Sequence, residues 1–407
     1  MHMKKYVRRH LYNELEKSLS GRVNFIQAVI GPRQIGKTTL ILQLYDNWQG
    51  PKIYDTADQP DIPSFEWIGA LWSRARNECK KTRRKTLLVI DEIQKVSNWS
   101  TVVKRYFDED RRFNNNIRAV ILGSSALLMQ KGLGESLAGR FELHRHNQWA
   151  YAECRECFNL SLEKYLYFGG YPGALALRRD EVRWQRYMRD SLIETVLSKD
   201  ILLLSQVTKP VLFKQTFGVA VSNPAQVMSY QKMLGILHDA GNATTIASYL
   251  SLLENAFLLK LAERWSGARI RQKGSTPKIV FLDNGLVTSM SGMGFKPVFS
   301  DKSYWGRLVE NAVGAQLSFL AQKYNAELFY WQERDYEVDY VLKLGSKVFG
   351  IEVKSGYIDC PVRGLELFKS RYNNCEPVVI SGLKQSSINS NRNIYLPDFF
   401  SRPEMLL

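Results

Sequence analysis

A short apolar run, Phe25–Ile30, leads directly into Gly31-Pro32-Arg33-Gln34-Ile35-Gly36-Lys37-Thr38, and no other feature restricts the fold as much. The octapeptide is a complete G-x-x-x-x-G-K-[ST] motif, and Thr39–Trp48 behind it has helical character, with Leu40, Leu42 and Leu44. A buried strand, a glycine-bearing loop and a helix are the context such a motif requires. The glycines let successive backbone N–H groups wrap a polyphosphate at a helix N-terminus, where the dipole favours negative charge. On this reading the stretch from Gly31 to Thr39 cradles ATP. Lys37 reaches the β- and γ-phosphates, and the Thr38 hydroxyl ligates Mg2+.

A second apolar run, Thr86–Ile90, ends in Asp91-Glu92. Acidic residues at the carboxyl end of a buried parallel strand lie where such sheets bind ligands. Asp91 is therefore expected to help hold Mg2+, and Glu92 to orient the attacking water. A third strand, Arg118–Leu122, runs into Gly123-Ser124-Ser125. That places Ser124 near the γ-phosphate, although Gly-Ser-Ser is also ordinary turn chemistry. Arg140, in a glycine-flanked segment, suits two roles: a cation inserted into a neighbouring subunit's site in a homo-oligomer, or a surface arginine in a loop.

The chain carries 56 Lys+Arg against 40 Asp+Glu, a net charge of +16. Residues 1–150 hold 25 of the basic and 15 of the acidic side chains, so the excess is densest around the nucleotide motif. The run Lys80-Lys81-Thr82-Arg83-Arg84-Lys85 is either a solvated loop or a surface for a polyanion such as DNA. With 45% apolar and 24% charged residues, disorder and rod-like folds are excluded, and 407 residues suggest two or three domains. Five cysteines are too few and too irregular for a disulfide framework, and Cys154-x-x-Cys157 is half a zinc site at best. No stretch approaches the ~20 apolar residues of a membrane span, so a cytoplasmic location is the simplest expectation.

Residues 151–270 carry mostly helical periods. A turn cluster, Phe168-Gly169-Gly170-Tyr171-Pro172-Gly173, separates two of them. Ser229–Asp239, a Gly-bearing turn and Thr244–Leu259 have helix-turn-helix spacing, with Ile246, Leu250, Leu253 and Phe257 on one face. The opposite face offers Thr244, Thr245, Ser248, Ser251 and Asn255 but no basic residue, which leaves domain packing and DNA reading both open.

Near the C-terminus, Tyr336–Leu342 and Lys347–Lys354 read as two strands joined by a Gly345-Ser346 turn. Centring the hairpin there sets Asp339 opposite Glu352, and Glu337 opposite Lys354. Two facing carboxylates are destabilising unless a cation lies between them, and hard oxygen ligands suit Mg2+. Lys354 is then placed to act on metal-bound water, and Glu310, on a helix read at Trp305–Leu317, to supply a further carboxylate. A surface hairpin with scattered charges is the plainer alternative.

Glu310, Asp339 and Glu352-Val353-Lys354 match the PD-(D/E)XK nuclease-like pattern, except that Val338 stands where the pattern has proline. The nucleotide motifs, Ser136–Arg140, Tyr171-Pro172-Gly173 and Gly306–Asn311 together resemble a prokaryotic family of AAA+-type P-loop ATPases. The resemblance implies a RecA/AAA+-like α/β core at 1–150, a helical lid at 151–205, a winged-helix-like segment at 206–270 and a restriction-endonuclease-like α/β domain at 271–407. The first functional reading of these residues is an ATPase acting on DNA with a Mg2+-dependent nuclease centre, used in defence against foreign DNA. The alternative is a nucleotide-driven switch whose nuclease-like domain only docks DNA or protein.

Overall fold

The computed structural model describes residues 9–22, 24–123, 129, 132–134, 136–202, 207–237, 242–267, 276–356, 362–385, 387–388 and 391–407. The chain divides into two compact units, Met1–Asn147 and Gln148–Leu407. Among the described residues no helix is long and apolar enough to cross a membrane.

In the first unit β1 (Ile26–Ile30), β2 (Lys52–Thr56), β3 (Thr86–Asp91), β4 (Ile117–Leu122) and β5 (Phe141–Arg145) form one sheet in the order β2-β3-β4-β1-β5. Every pairing is parallel. Strands β1, β3 and β4 are buried end to end, which is why they read as nearly continuous apolar runs rather than as alternations. Helices α1 (His10–Ser20) and α2 (Lys37–Asn47) press Tyr12, Leu15, Leu40, Ile41 and Leu44 onto Val29, Val89, Val120 and Leu122. Helices α3 (Phe65–Thr82) and α4 (Trp99–Arg112) are tied together by buried Asp110. Its carboxylate accepts from Trp72 Nε1 at 2.6 Å and from Arg76 Nε at 2.7 Å. The basic run is the exposed end of α3 and the turn after it, where Arg83 adopts a left-handed conformation (φ 56°).

The second unit opens with helices Tyr151–Phe158, Leu162–Phe168, Pro172–Leu175 and Glu181–Arg186, the last widening into π-helical turns that reach Leu202. Helices α5 (Pro210–Val221), α6 (Tyr230–Leu237) and α7 (Ala243–Asn255) follow. Asn242 caps α7 by accepting the Thr245 N–H at 2.8 Å, and Ile246, Tyr249, Leu250 and Leu253 form its buried face. Phe257, expected on that face, lies beyond the helix end at φ 60°.

Strands β6 (Gln226–Val227), β7 (Leu259–Arg264), β8 (Lys278–Phe281), β9 (Glu327–Glu333), β10 (Tyr336–Leu344), β11 (Lys347–Lys354), β12 (Cys375–Ser381), β13 (Ser387–Ile388) and β14 (Asn391–Tyr395) make one mixed sheet. Its order is β13-β14-β12-β11-β10-β9-β7-β8-β6. Residue 270, where the sequence reading divides two domains, falls between β7 and β8 of this single sheet. Helix α8 (Lys302–Tyr324) packs on one face, where Tyr340 fills the space left by Gly314. Helix α9 (Arg363–Arg371) covers the other, with Leu365 and Phe368 against Val338 and Val341.

Candidate functional site

The octapeptide closes the carboxyl end of β1. A side chain at Gly31 would meet the His146 carbonyl oxygen at 2.0 Å, so only glycine lets the chain turn there. Gln34 (φ 61°) and Gly36 (φ 90°) then bend the loop into the first turn of α2. Pro32 and Ile35 are buried, Arg33 is half-buried, and Gln34 and Thr39 face outward. Lys37 is buried and folds across the loop, donating to the Gly31 and Pro32 carbonyls at 2.9 and 2.6 Å. Its neighbour Thr38 donates to Asp91 Oδ2 at 2.9 Å, so the two residues expected to share Mg2+ are in contact. Burial holds the Asp91 carboxyl above its ordinary value, while Thr38 and Tyr54 favour its charged form by hydrogen bonding.

Glu92 occupies a left-handed conformation (φ 52°), which is uncommon for a side-chain-bearing residue and keeps it at the turn after β3. Its Oε2 accepts from Gln94 at 2.6 Å. Three residues here were not legible as site residues. Tyr54 donates to Asp91 Oδ2 at 3.1 Å from the adjacent strand. Gln94 is buried, and among the described residues its Oε1 has no hydrogen-bond partner. His146 lies under the loop, 2.8 Å from Arg9, and burial with the nearby Arg9 and Lys37 charges holds it neutral. None belongs to the motif. Only the tyrosine, near the end of a strand, offered a signal.

Arg140 is not near its own phosphate loop. Its carbonyl accepts from Ile26, the first residue of β1, so it lies at the opposite end of that strand. The guanidinium grips Asp108 through Nε and Nη2 at 2.7 and 3.0 Å. Ser124 lies outside the described residues.

The C-terminal hairpin has the expected register: Tyr340 pairs with Ile351, Val341 with Gly350 and Leu344 with Lys347, around Gly345 at φ 59°. The charges are arranged differently from the sequence reading. A register shift on the β9 side between Val338 and Val341 turns Tyr340 towards α8, where its hydroxyl donates to the Glu310 carbonyl at 3.0 Å. Asp339 and Glu352 are both buried, and each faces an ammonium, Lys278 beside Asp339 and Lys354 beside Glu352. Lys278 pairs with Glu310 and stands 3.7 Å from Asp339 Oδ1, donating to the Asp339 carbonyl at 3.1 Å. Asp339 Oδ2 accepts the Val353 N–H at 2.7 Å. Lys354, expected opposite Glu337, bonds Glu352 Oε1 at 2.8 Å. Among the described residues, no three His, Cys, Asp or Glu side chains gather to hold a metal. The expected Mg2+ centre at Glu310, Asp339 and Glu352 therefore does not fit. Glu310 Oε1, both Asp339 oxygens and Glu352 Oε1 face amines or an amide, and Lys278, which the sequence did not single out, stands among them.

Burial raises Glu352 above the ordinary carboxylate range, reinforced by Asp339 and opposed by Lys354. Burial also raises Glu310, against the pull of Lys278. For Lys278 burial works against the charge, but Glu310 and Asp339 outweigh it and keep the ammonium.

The motif residues of the middle region meet in a buried polar junction. Asp283 accepts from the Gly170 and Gly285 amides at 2.6 and 2.8 Å. Asn311 bonds the Phe281 amide and carbonyl and the side chain of Asn284. Burial pushes the Asp283 carboxyl up to about 7.

Residues 23–154 match the family described as AAA domain. Residues 159–296 and 305–399 match two families described as domains of unknown function (DUF8612 and DUF4143). The chain is similar to an uncharacterized protein of Haemophilus influenzae, 25% identical over 356 residues, with 81% of this chain and 82% of that one covered. It is also similar to one of Mycobacterium tuberculosis, 25% identical over 327 residues (80% and 69%), and one of Methanocaldococcus jannaschii, 23% identical over 342 residues (78% and 72%). Among solved structures, a Thermotoga maritima RuvB Holliday junction branch migration motor superposes with a TM-score of 0.32 at 15% identity, covering 61% of this chain and 87% of that one. AMPPCP-bound DnaA from Aquifex aeolicus superposes with a TM-score of 0.31 at 18% identity (60% and 86%).

Proposed function

We propose that this chain is an ATP-binding and ATP-hydrolysing switch that works on DNA, with a C-terminal domain that holds a partner without cutting it. The observation that carries the reading is the contact of Thr38 with Asp91 beside Lys37 at the start of α2. Thr38 and Asp91 would hold Mg2+, which when bound neutralises phosphate charge. Lys37 exchanges the Gly31 and Pro32 carbonyls for the β- and γ-phosphates, and amides of the Gly31–Thr39 loop donate to the remaining oxygens. Glu92 orients water and takes its proton, with Gln94 fixing the carboxylate. Ser124 serves the γ-phosphate.

Arg140 acts on a neighbouring subunit's γ-phosphate in a homo-oligomer, because it lies at the far end of β1 from its own loop. The exposed Lys80, Lys81, Arg83 and Arg84 supply a DNA-facing surface, and the α5–α7 helices with the β6-β8-β7 strands are read as a winged-helix-like packing module. A Mg2+-dependent nuclease centre, and with it a cutting role in defence, draws no support from Glu310, Asp339 and Glu352, whose partners are amines and an amide.

The test is to incubate the full chain with ATP, Mg2+ and plasmid. The expected result is ATP turnover and an ATP-dependent change in light scattering, both lost in Lys37→Ala, with the plasmid intact. Plasmid nicking that disappears in Asp339→Ala would overturn the non-cleaving reading.

A further inference from the structure

Helix α8 and the β8, β10 and β11 strands bring Glu310, Asp339 and Glu352 around the buried ammonium of Lys278. Lys278 enters this cluster from the first position of β8, where its backbone pairs with Ala262 of β7 and Val227 of β6. Its stem runs over the Tyr340 ring, with Nζ 4.6 Å from the centroid. This lysine is therefore built into the sheet and buried, with a side chain only 6% exposed.

Divalent cations of the Mg2+ class need near-octahedral oxygen at short range and tolerate no ammonium in the same space. Here the Glu310 carboxylate is bonded to Lys278, the carbonyl of Asp339 accepts from Lys278, and Asp339 Oδ2 is taken by the Val353 amide. Glu352 Oε1 is taken by Lys354, and among the described residues its buried Oε2 has no hydrogen-bond partner. Deleting the Lys278 ammonium would leave Glu310, Asp339 and Glu352 as an unbalanced acidic group, which is the chemistry that recruits a hard cation.

We propose that Lys278 is a resident cation standing in the place of a divalent ion, and that this carboxylate cluster binds such an ion only once the lysine is removed. The inference deepens the non-cleaving reading of the C-terminal domain and does not depend on whether the first unit hydrolyses ATP.

Mn2+ is the probe, and loss of its free electron-paramagnetic signal is the measurement, made on the full chain without nucleotide. The proteins compared are wild type, Asp339→Asn, Lys278→Met and the double variant. Wild type and Asp339→Asn should bind Mn2+ equally, so that any ion held at Thr38 and Asp91 cancels. Lys278→Met should gain about one ion per chain, bound at least about tenfold more tightly than by wild type, and the double variant should lose it. An Asp339-dependent ion in wild type overturns the proposal, as does a folded Lys278→Met with no new site. If Lys278→Met does not fold, Lys278→Gln takes its place, and the wild-type against Asp339→Asn comparison decides the question unaided. ATP turnover, read on the same samples, reports separately on the switch.

Discussion

Thr38 and Asp91, fifty-three positions apart, meet at 2.9 Å across the carboxyl ends of β1 and β3, although β4 lies between those strands. In the proposed nucleotide site this contact joins the two groups that would face the cation. Removing Lys37, whose buried ammonium folds across the loop, should weaken ATP binding by about 2–4 kcal/mol, on the order of a hundredfold. Glu92→Gln should bind ATP within a few-fold of wild type but lose on the order of 100-fold in turnover. Fluorescent-nucleotide titration beside a phosphate-release assay separates the two effects. Equal loss of affinity in both variants would contradict the assigned roles.

Arg140→Ala should keep its ATP affinity and lose on the order of 10³-fold in turnover if the guanidinium works across a subunit boundary. Mixing it with Lys37→Ala, itself inactive, should restore measurable hydrolysis, because one mixed interface then holds both an intact loop and an arginine. No recovery on mixing would return Arg140 to its plain role as the partner of Asp108.

Asp110 is buried and joins α3 to α4 through Trp72, Arg76 and Asn115. Asp110→Ala leaves those donors facing a void and should destabilise the first unit by about 3 kcal/mol. Denaturant midpoints read the change. A shift under about 0.5 kcal/mol would show that the helices are held by packing alone.

Asp283 gives a pH signature. Burial raises its folded value to about 7, against an ordinary 3.8. Below about pH 4 both folded and unfolded forms carry the proton, so the residue imposes no penalty. Between about pH 4 and 7 the unfolded chain releases it first and stability falls; above that the deficit is constant, on the order of 4 kcal/mol. Asp283→Asn should flatten this part of the stability profile, whatever it does to the absolute value. Identical slopes in the two proteins would rule out the assignment.

Replacing Lys80, Lys81, Arg83 and Arg84 together with alanine should weaken DNA binding and reduce the slope of log affinity against log salt by about three to four. An unchanged slope would place the DNA-facing charge elsewhere.

Local signals were legible and distant ones were not. The β1–loop–α2 segment could be read because the motif, its glycines and its flanking periodicities all lie within a few residues of one another. The hairpin register could be read because Gly345-Ser346 fixes it from within. The β10 irregularity between Val338 and Val341 leaves no trace in the alternation, and strict alternation would put Tyr340 on the face away from Asp339, whereas it packs beside Lys278 and Glu310. Lys278 was invisible for a related reason. It lies 61 residues before Asp339, at the start of a four-residue strand whose other members are apolar. Without that partner, facing carboxylates imply a metal; with it, the charge is already balanced. Lys354 was assigned across the hairpin to Glu337, but its flexible stem reaches Glu352 two residues back on the same strand.

The parallel join of β7 to β9 rests on two residue pairs, Glu263 with Phe329 and Arg264 with Tyr330, and Trp265 closes it by donating its backbone N–H to the Tyr330 carbonyl. A fragment beginning at residue 271 would lose that neighbour and expose the flank of β9, baring unpaired amides and carbonyls beside Phe329 and Trp331. It would also strip β8 of both partners and leave Lys278 on a loose end. Exposed edges of this kind recruit other chains. Such a fragment, cut at the domain boundary read from the sequence, would aggregate, and inactivity measured on it would say nothing about the chemistry of the intact sheet.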